Sequence, residues 1–144
     1  MALQDYHVLG KSKLEVIKLK LSKINKSFPN KINSLFLVGG CWRGLAKIHM
    51  NITNYPLKVL QGYKVSVKNF DPTLEFISNT KNTELLQITS SSEERVKLLP
   101  DACIVLKAIY EKFCPRELFF SGYGIREGII FCQFNNEIKK LDPL

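Results

Sequence analysis

The stretch FLVGGCWRGLAKIHM, Phe36 to Met50, decides how the fold is read. Its first half continues the short apolar run SLFLV, which is bounded by turn residues and predicts a buried strand over about Asn33 to Val38. Its second half puts Trp42, Leu45, Ala46, Ile48 and Met50 at helical spacing, so a helix runs from Trp42 to about Ile52. Strand, glycine pair and helix follow one another directly. Glycines at such a junction permit backbone angles and close approaches that a side chain blocks, and they leave the free N–H groups of the helix start open to an anion. A βα turn that needs glycine for packing alone has the same appearance, so the motif by itself leaves both readings open.

On the N-terminal side, Leu14, Ile17, Leu21, Ile24 and Phe28 recur at three- and four-residue steps, predicting a helix from about Ser12 to Ser27 that FPN ends. On the C-terminal side, NYPLKVLQGYKVSV breaks the helix at Pro56 and reads as extended, with a bend at Gly62. FDPTLEFISN suggests Asp71 as a cap, Pro72 in the first turn and a short helix from Thr73; NTELLQI suggests another. Ser91 and Glu94 have capping-box spacing ahead of a long helix over Leu99 to Phe113, with Pro100 in its first turn. CPRELFFSGYG then predicts a strand over Glu117 to Phe120, and IREGIIFCQF a last helix. No internal repeat or low-complexity segment interrupts this order.

Two strand–glycine–helix units stand out, FLVGGCWR and LFFSGYGIREG. Strands joined through helices are expected to lie parallel, and ligands of such sheets sit beyond the carboxyl ends of the strands. Each glycine turn is followed within four residues by an arginine, Arg43 or Arg126. Backbone N–H groups give directional bonds and a guanidinium a bidentate, charged one, which suits a phosphate.

At 144 residues the chain has the length of a single domain, taken as residues 1–144. No apolar run is long enough to cross a membrane, and MALQDYHVLGKSK lacks the features of a secretory signal, so a soluble cytoplasmic protein without a membrane partner is expected. Cys41, Cys103, Cys114 and Cys132 are widely spaced and predict free buried thiols; their spacing suits neither a metal site nor a disulfide framework. Cys41 at a helix start has no nearby histidine to activate it. The net charge of +8 points to an anionic partner, yet most of the lysines among residues 1–40 lie on the first helix and read as a solvated face. Nucleic acid is not the partner expected, because no aromatic residues interleave with these lysines and no nucleic-acid-binding motif is present.

VGGCWRGLAKIHM with YPLKVLQGY, ERVKLLPDACIVL, and SGYGIREGIIF, in this order, closely resemble the Ppx/GppA phosphatase family of exopolyphosphatases and guanosine pentaphosphate phosphohydrolases. The resemblance is closest over residues 33–134. It implies an α/β fold: part of an actin-like, ribonuclease H-like lobe with a small, mainly parallel sheet flanked by helices. The family has two such lobes with the active site between them, and only the later part of the second is matched. Its catalytic glutamate and two phosphate loops precede that part, so the resemblance implies no catalytic residue and no metal ligand here. It implies phosphate or substrate contacts for Gly39, Gly40, Arg43, Ser121, Gly122 and Arg126, with Gly124, Glu127 and Gly128 completing the signature. Cys41 stands where the family usually has a small or hydroxyl residue.

The complete enzyme so implied uses Mg²⁺ to hydrolyse the terminal phosphoanhydride of polyphosphate or guanosine pentaphosphate. This chain is then expected to be an inactive fragment unless a separately encoded first lobe joins it; the alternative is a non-catalytic, polyanion-binding remnant. Considered singly, Arg126 and Glu127 read as an internal salt bridge, Trp42 as core, and His49 as a satisfied or exposed histidine.

Overall fold

The computed structural model describes residues 3–23, 29, 31–89 and 91–134. Helix α1 (Leu3–Ser22) precedes strand β1 (Ser34–Val38), helix α2 (Gly40–Ile52) and strand β2 (Tyr63–Ser66). Helices α3 (Val67–Asn79), α4 (Asn82–Ile88), α5 (Glu93–Lys97) and α6 (Leu99–Phe113) follow, then strand β3 (Glu117–Ser121) and helix α7 (Ile125–Phe134). The expected α/β class and the order of elements hold. Helix α1 starts well before Ser12, and the C-terminal part of its expected span, residues 24–27, lies outside the described residues.

The sheet order is β1-β3-β2. β1 and β3 pair in parallel, as the two strand–glycine–helix units require, with Val38 opposite Ser121. β2 pairs antiparallel with β3, so the sheet is mixed: the YKVS segment, read only as extended, supplies an edge strand. A crossover of helices separates β1 from β3, whereas β2 reaches β3 from the opposite direction.

Alternation along the strands sends Leu37, Tyr63, Leu118 and Phe120 to one face, where they are buried. The helices meet them there through Leu45, Ile48 and Met50 of α2, Phe70, Leu74 and Ile77 of α3, and Leu99, Cys103 and Leu106 of α6. The opposite face carries Phe36, 69% exposed, stacked on Phe119 with ring centroids 4.9 Å apart, and the half-exposed Val38. Lys64 reaches over that face, its Nζ 5.3 Å from the centre of the Phe119 ring, and among the described residues the outer edge of β1 pairs with no strand.

Two caps differ from the sequence expectation. Helix α3 starts at Val67, not Thr73: Ser66 caps it by accepting from the Asn69 N–H at 3.2 Å, and Pro72 lies inside the helix. A proline there costs ~3 kcal/mol. The extra turn buries Phe70 on the same face as Leu74 and Ile77, worth about 1.5–3 kcal/mol, and gains the Ser66 cap, worth about 1 kcal/mol, and the two together offset the proline. Helix α5 is capped at Ser92 with no side-chain bond, so Ser91 and Glu94 form no capping box.

Helix α1 packs along α6, and its lysines take part: Lys13 pairs with Asp101 at 2.7 Å, Lys18 with Glu111 at 2.5 Å. Lys112 of α6 donates to the Leu21 carbonyl. None of the described helices is long and apolar enough to cross a membrane. Helix α7 buries no residue and exposes Ile125, Ile129, Ile130, Phe131 and Phe134.

Candidate functional site

The register of the sheet gathers three turns at one edge. Because β1 and β3 run parallel with Val38 opposite Ser121, Gly39 and Gly122 leave the sheet side by side. Because β2 is antiparallel and Tyr63 lies opposite Phe120, the Gln61–Gly62 turn enters at the same edge.

In the first turn the two glycines have different roles. Gly39 is the N-cap of α2 with φ 135° and ψ 167°, a conformation that only glycine adopts readily. Gly40 has no positive φ and is the first helical residue, with open space where a side chain would stand. No side chain caps α2, its first turn holds no acidic residue, and the Arg43 N–H closes that turn on the Gly39 carbonyl at 3.1 Å. The N–H groups of Gly40, Cys41 and Trp42 are those that a helix start leaves without intrahelical partners. Trp42 and Cys41 are half-buried and pack against the margin of the core, Trp42 with its ring beside Gly39.

The second turn is tied to the first. Arg43 Nη1 donates to the Gly122 carbonyl at 3.1 Å. The Gly122 N–H donates to Gln61 Oε1 at 2.8 Å, so all three turns converge on Gly122. Ser121 Oγ closes a local turn, accepting from the Tyr123 N–H at 3.1 Å and donating to the Tyr123 carbonyl at 2.9 Å. Glu127 accepts from the Gly124 N–H at 2.6 Å and so caps α7. That bond, and one to its own N–H, hold the Glu127 carboxyl below the usual range, with Arg43 and Arg126 adding to the effect.

The structure thus brings Gly39, Gly40, Arg43, Ser121 and Gly122 to one edge. Arg126 stands exposed in the first turn of α7, outside this hydrogen-bonded cluster. The internal salt bridge expected of Arg126 and Glu127 is replaced by the Gly124 cap. Gln61 was not singled out in the sequence, where only the bend at Gly62 was visible. His49 is buried and satisfied: Nδ1 lies 2.6 Å from Thr73 Oγ1, and burial lowers its pKa. All four cysteines are free, but only Cys103 is buried; Cys41 and Cys132 are half-buried and Cys114 is exposed, which corrects the expectation of four buried thiols.

Two parallel strands whose glycine turns meet at their carboxyl ends, linked there by an arginine on an uncapped helix, define an α/β lobe with its open polar turns along one edge. The sequence profile of the Ppx/GppA phosphatase family matches residues 3–137, and the chain belongs to that family. The match takes in α1, well before residue 33, where the resemblance becomes close. Among solved structures, an exopolyphosphatase from Cytophaga hutchinsonii superimposes with a TM-score of 0.75 at 18% identity, over 94% of this chain and 43% of that one. A Ppx/GppA family member from Aquifex aeolicus gives a TM-score of 0.70 at 20% identity, over 88% of this chain and 40% of that one. The likeness establishes the fold as part of an actin-like lobe, and this chain spans less than half the length of either structure. No curated protein matches it.

Proposed function

We propose that this chain supplies a phosphate-holding edge of a phosphoanhydride hydrolase acting on polyphosphate or guanosine pentaphosphate. The observation that carries the reading is Arg43. A cation in the first turn of a helix is disfavoured by about 0.3–1 kcal/mol, and α2 has no acidic residue of its own there, so that the Glu127 carboxylate of α7 offsets only part of the charge. A phosphate on the N–H groups of Gly40, Cys41 and Trp42 reverses that sign, and it also occupies the guanidinium N–H groups that Gly122 leaves free. Gly39 sets the backbone of this seat. Ser121 and Gly122 shape the facing turn, and Arg126 is a peripheral cation for a longer chain of phosphates. The exopolyphosphatase among the structural neighbours supports polyphosphate as the substrate class.

Hydrolysis needs a carboxylate within reach of the attacking water. Glu127 lies at these turns, but it caps α7 and its lowered pKa makes it a weaker base. The activating group therefore comes from a first-lobe segment, in the same polypeptide or a separate one, and residues 1–144 alone are not expected to turn over. Mg²⁺ fits the same division. Among the described residues no three or more His, Cys, Asp or Glu gather as a metal site, and in this reading the ion is held by the complete enzyme together with the substrate phosphates. The exposed Phe36 and Val38 and the unpaired edge of β1 support a partner segment that completes this lobe.

The alternative, a polyanion-binding remnant using the lysines of α1, is weakened by the ion pairs of Lys13 and Lys18 to α6. A soluble, cytoplasmic location belongs to the proposal as well. The test is co-expression with the first-lobe segment of a family member, followed by size-exclusion chromatography and a Mg²⁺-dependent phosphate-release assay. Activity is expected only in the mixture, and Arg43→Ala should lower it about 10- to 150-fold, as for loss of a charged hydrogen bond. An associated but inactive pair, or an Arg43→Ala pair with full activity, refutes the proposal.

A further inference from the structure

We propose that Gln61 is a positioning residue: it pins the Gly122 turn so that the Gly122 carbonyl holds the Arg43 guanidinium beside the start of α2. The geometry stands on its own, while its use in binding phosphate rests on the reading above.

Gln61 is itself rigidly placed. The Tyr63 N–H donates to the Leu60 carbonyl at 3.0 Å, closing a four-residue turn in which Gly62 takes φ 75°. A positive φ at that third position marks a type II turn and calls for glycine. The Gly62 N–H donates to the Phe120 carbonyl at 3.2 Å, which fastens the turn to β3. From this base Gln61 Oε1 accepts from the Gly122 N–H at 2.8 Å, with Ser121 Oγ 3.4 Å away. A Cβ added at Gly122 would lie 3.4 Å from the backbone N and the Cβ of Gln61, so the two turns are already in close contact.

Gly122 is consequently held on both sides, its N–H by a residue 61 positions away and its carbonyl by one 79 positions away. The N–H and carbonyl of one residue belong to adjacent peptide planes, so fixing both fixes the backbone between them. Without Gln61 the N–H turns to water and the carbonyl is free to swing off Arg43. An unanchored arginine samples many rotamers, and ordering it on binding costs affinity. The Gly122 N–H, already engaged, is not a donor for phosphate, which assigns the seat to the α2 side of the edge.

The experiment uses this chain, ¹⁵N-labelled, with inorganic tripolyphosphate as the probe. Arg43 Nε relaxation reports the order of the guanidinium without ligand, and the fluorescence of Trp42, the single tryptophan, reports binding. Gln61→Ala is expected to lower the Arg43 order and weaken tripolyphosphate about three- to tenfold. Gln61→Glu, which keeps an oxygen to accept from Gly122, is expected to retain the order. Gln61 is exposed, so the fold should survive both changes, with circular dichroism as the check. Unchanged Arg43 order in Gln61→Ala overturns the proposal whatever the affinity does. A wild-type chain that ignores tripolyphosphate refutes the phosphate reading, and the Arg43 order then still decides the role of Gln61.

Discussion

Replacing the two glycines of the first turn one at a time should have opposite effects. Gly39→Ala puts a Cβ into a site with room for it, since the nearest atom, Trp42 Cδ1, would be 3.6 Å away. The cost is conformational: at φ 135° and ψ 167° a residue with a side chain is strained by about 1–3 kcal/mol. Gly40→Ala meets nothing within 4 Å and falls at a helical position without positive φ, where the exchange stabilises by about 0.4–1 kcal/mol through the unfolded chain. With a urea m-value of about 2 kcal/mol/M, a strain of ~2 kcal/mol lowers the midpoint of Gly39→Ala by ~1 M. Gly40→Ala should move it up by a few tenths of that. Equilibrium urea unfolding followed by Trp42 fluorescence and far-UV circular dichroism measures both shifts. A Gly39→Ala protein as stable as wild type, or two variants that shift alike, refutes this division of roles.

Gly44→Ala should destabilise by up to ~2 kcal/mol, the overpacking of its Cβ 2.8 Å from Leu99 Cδ2 exceeding the gain of about 0.5–1 kcal/mol from alanine in a helix; adding Leu99→Ala should then lose less than the two single changes summed, as a double-mutant cycle in urea would read. His49 has a pKa lowered by burial, so the unfolded chain takes up the proton first. Its contribution is complete above the ordinary histidine value and is lost as pH falls through and below it; urea midpoints at pH 7.5, 6.5 and 5.5 should decline more steeply in wild type than in His49→Gln. Exposed Cys114 should react with a disulfide reagent in the native state within minutes, while Cys103, buried and pushed up to about 12, should react only on unfolding; equal rates would contradict the burial pattern.

The parts of the fold legible in the sequence are those written in local periodicity. Around Gly39 the apolar pattern changes abruptly from strand to helix, and the junction was readable to within two residues. Strand β2 was not legible as part of the sheet, because four residues carry little alternation and their partner lies more than fifty positions away. Asp71 and Pro72 look like a helix start, and the true start of α3 rests on the burial of Phe70 together with the Ser66 cap, which that local pattern does not show. At the site, the glycines and Arg43 could be found from their motif. Gln61 could not, since a side-chain amide that accepts from a backbone N–H 61 residues on leaves no mark in its own neighbourhood.

The most direct test of the account is an amide-resolved titration of the ¹⁵N-labelled chain with tripolyphosphate. The account predicts saturable shifts at the Gly40, Cys41 and Trp42 amides and at Arg43 Nε, weakened by salt and at least about tenfold weaker in Arg43→Ala. Shifts confined to the region around Lys13, Lys18, Lys20 and Lys23 of α1, with the first turn of α2 unmoved, would contradict it.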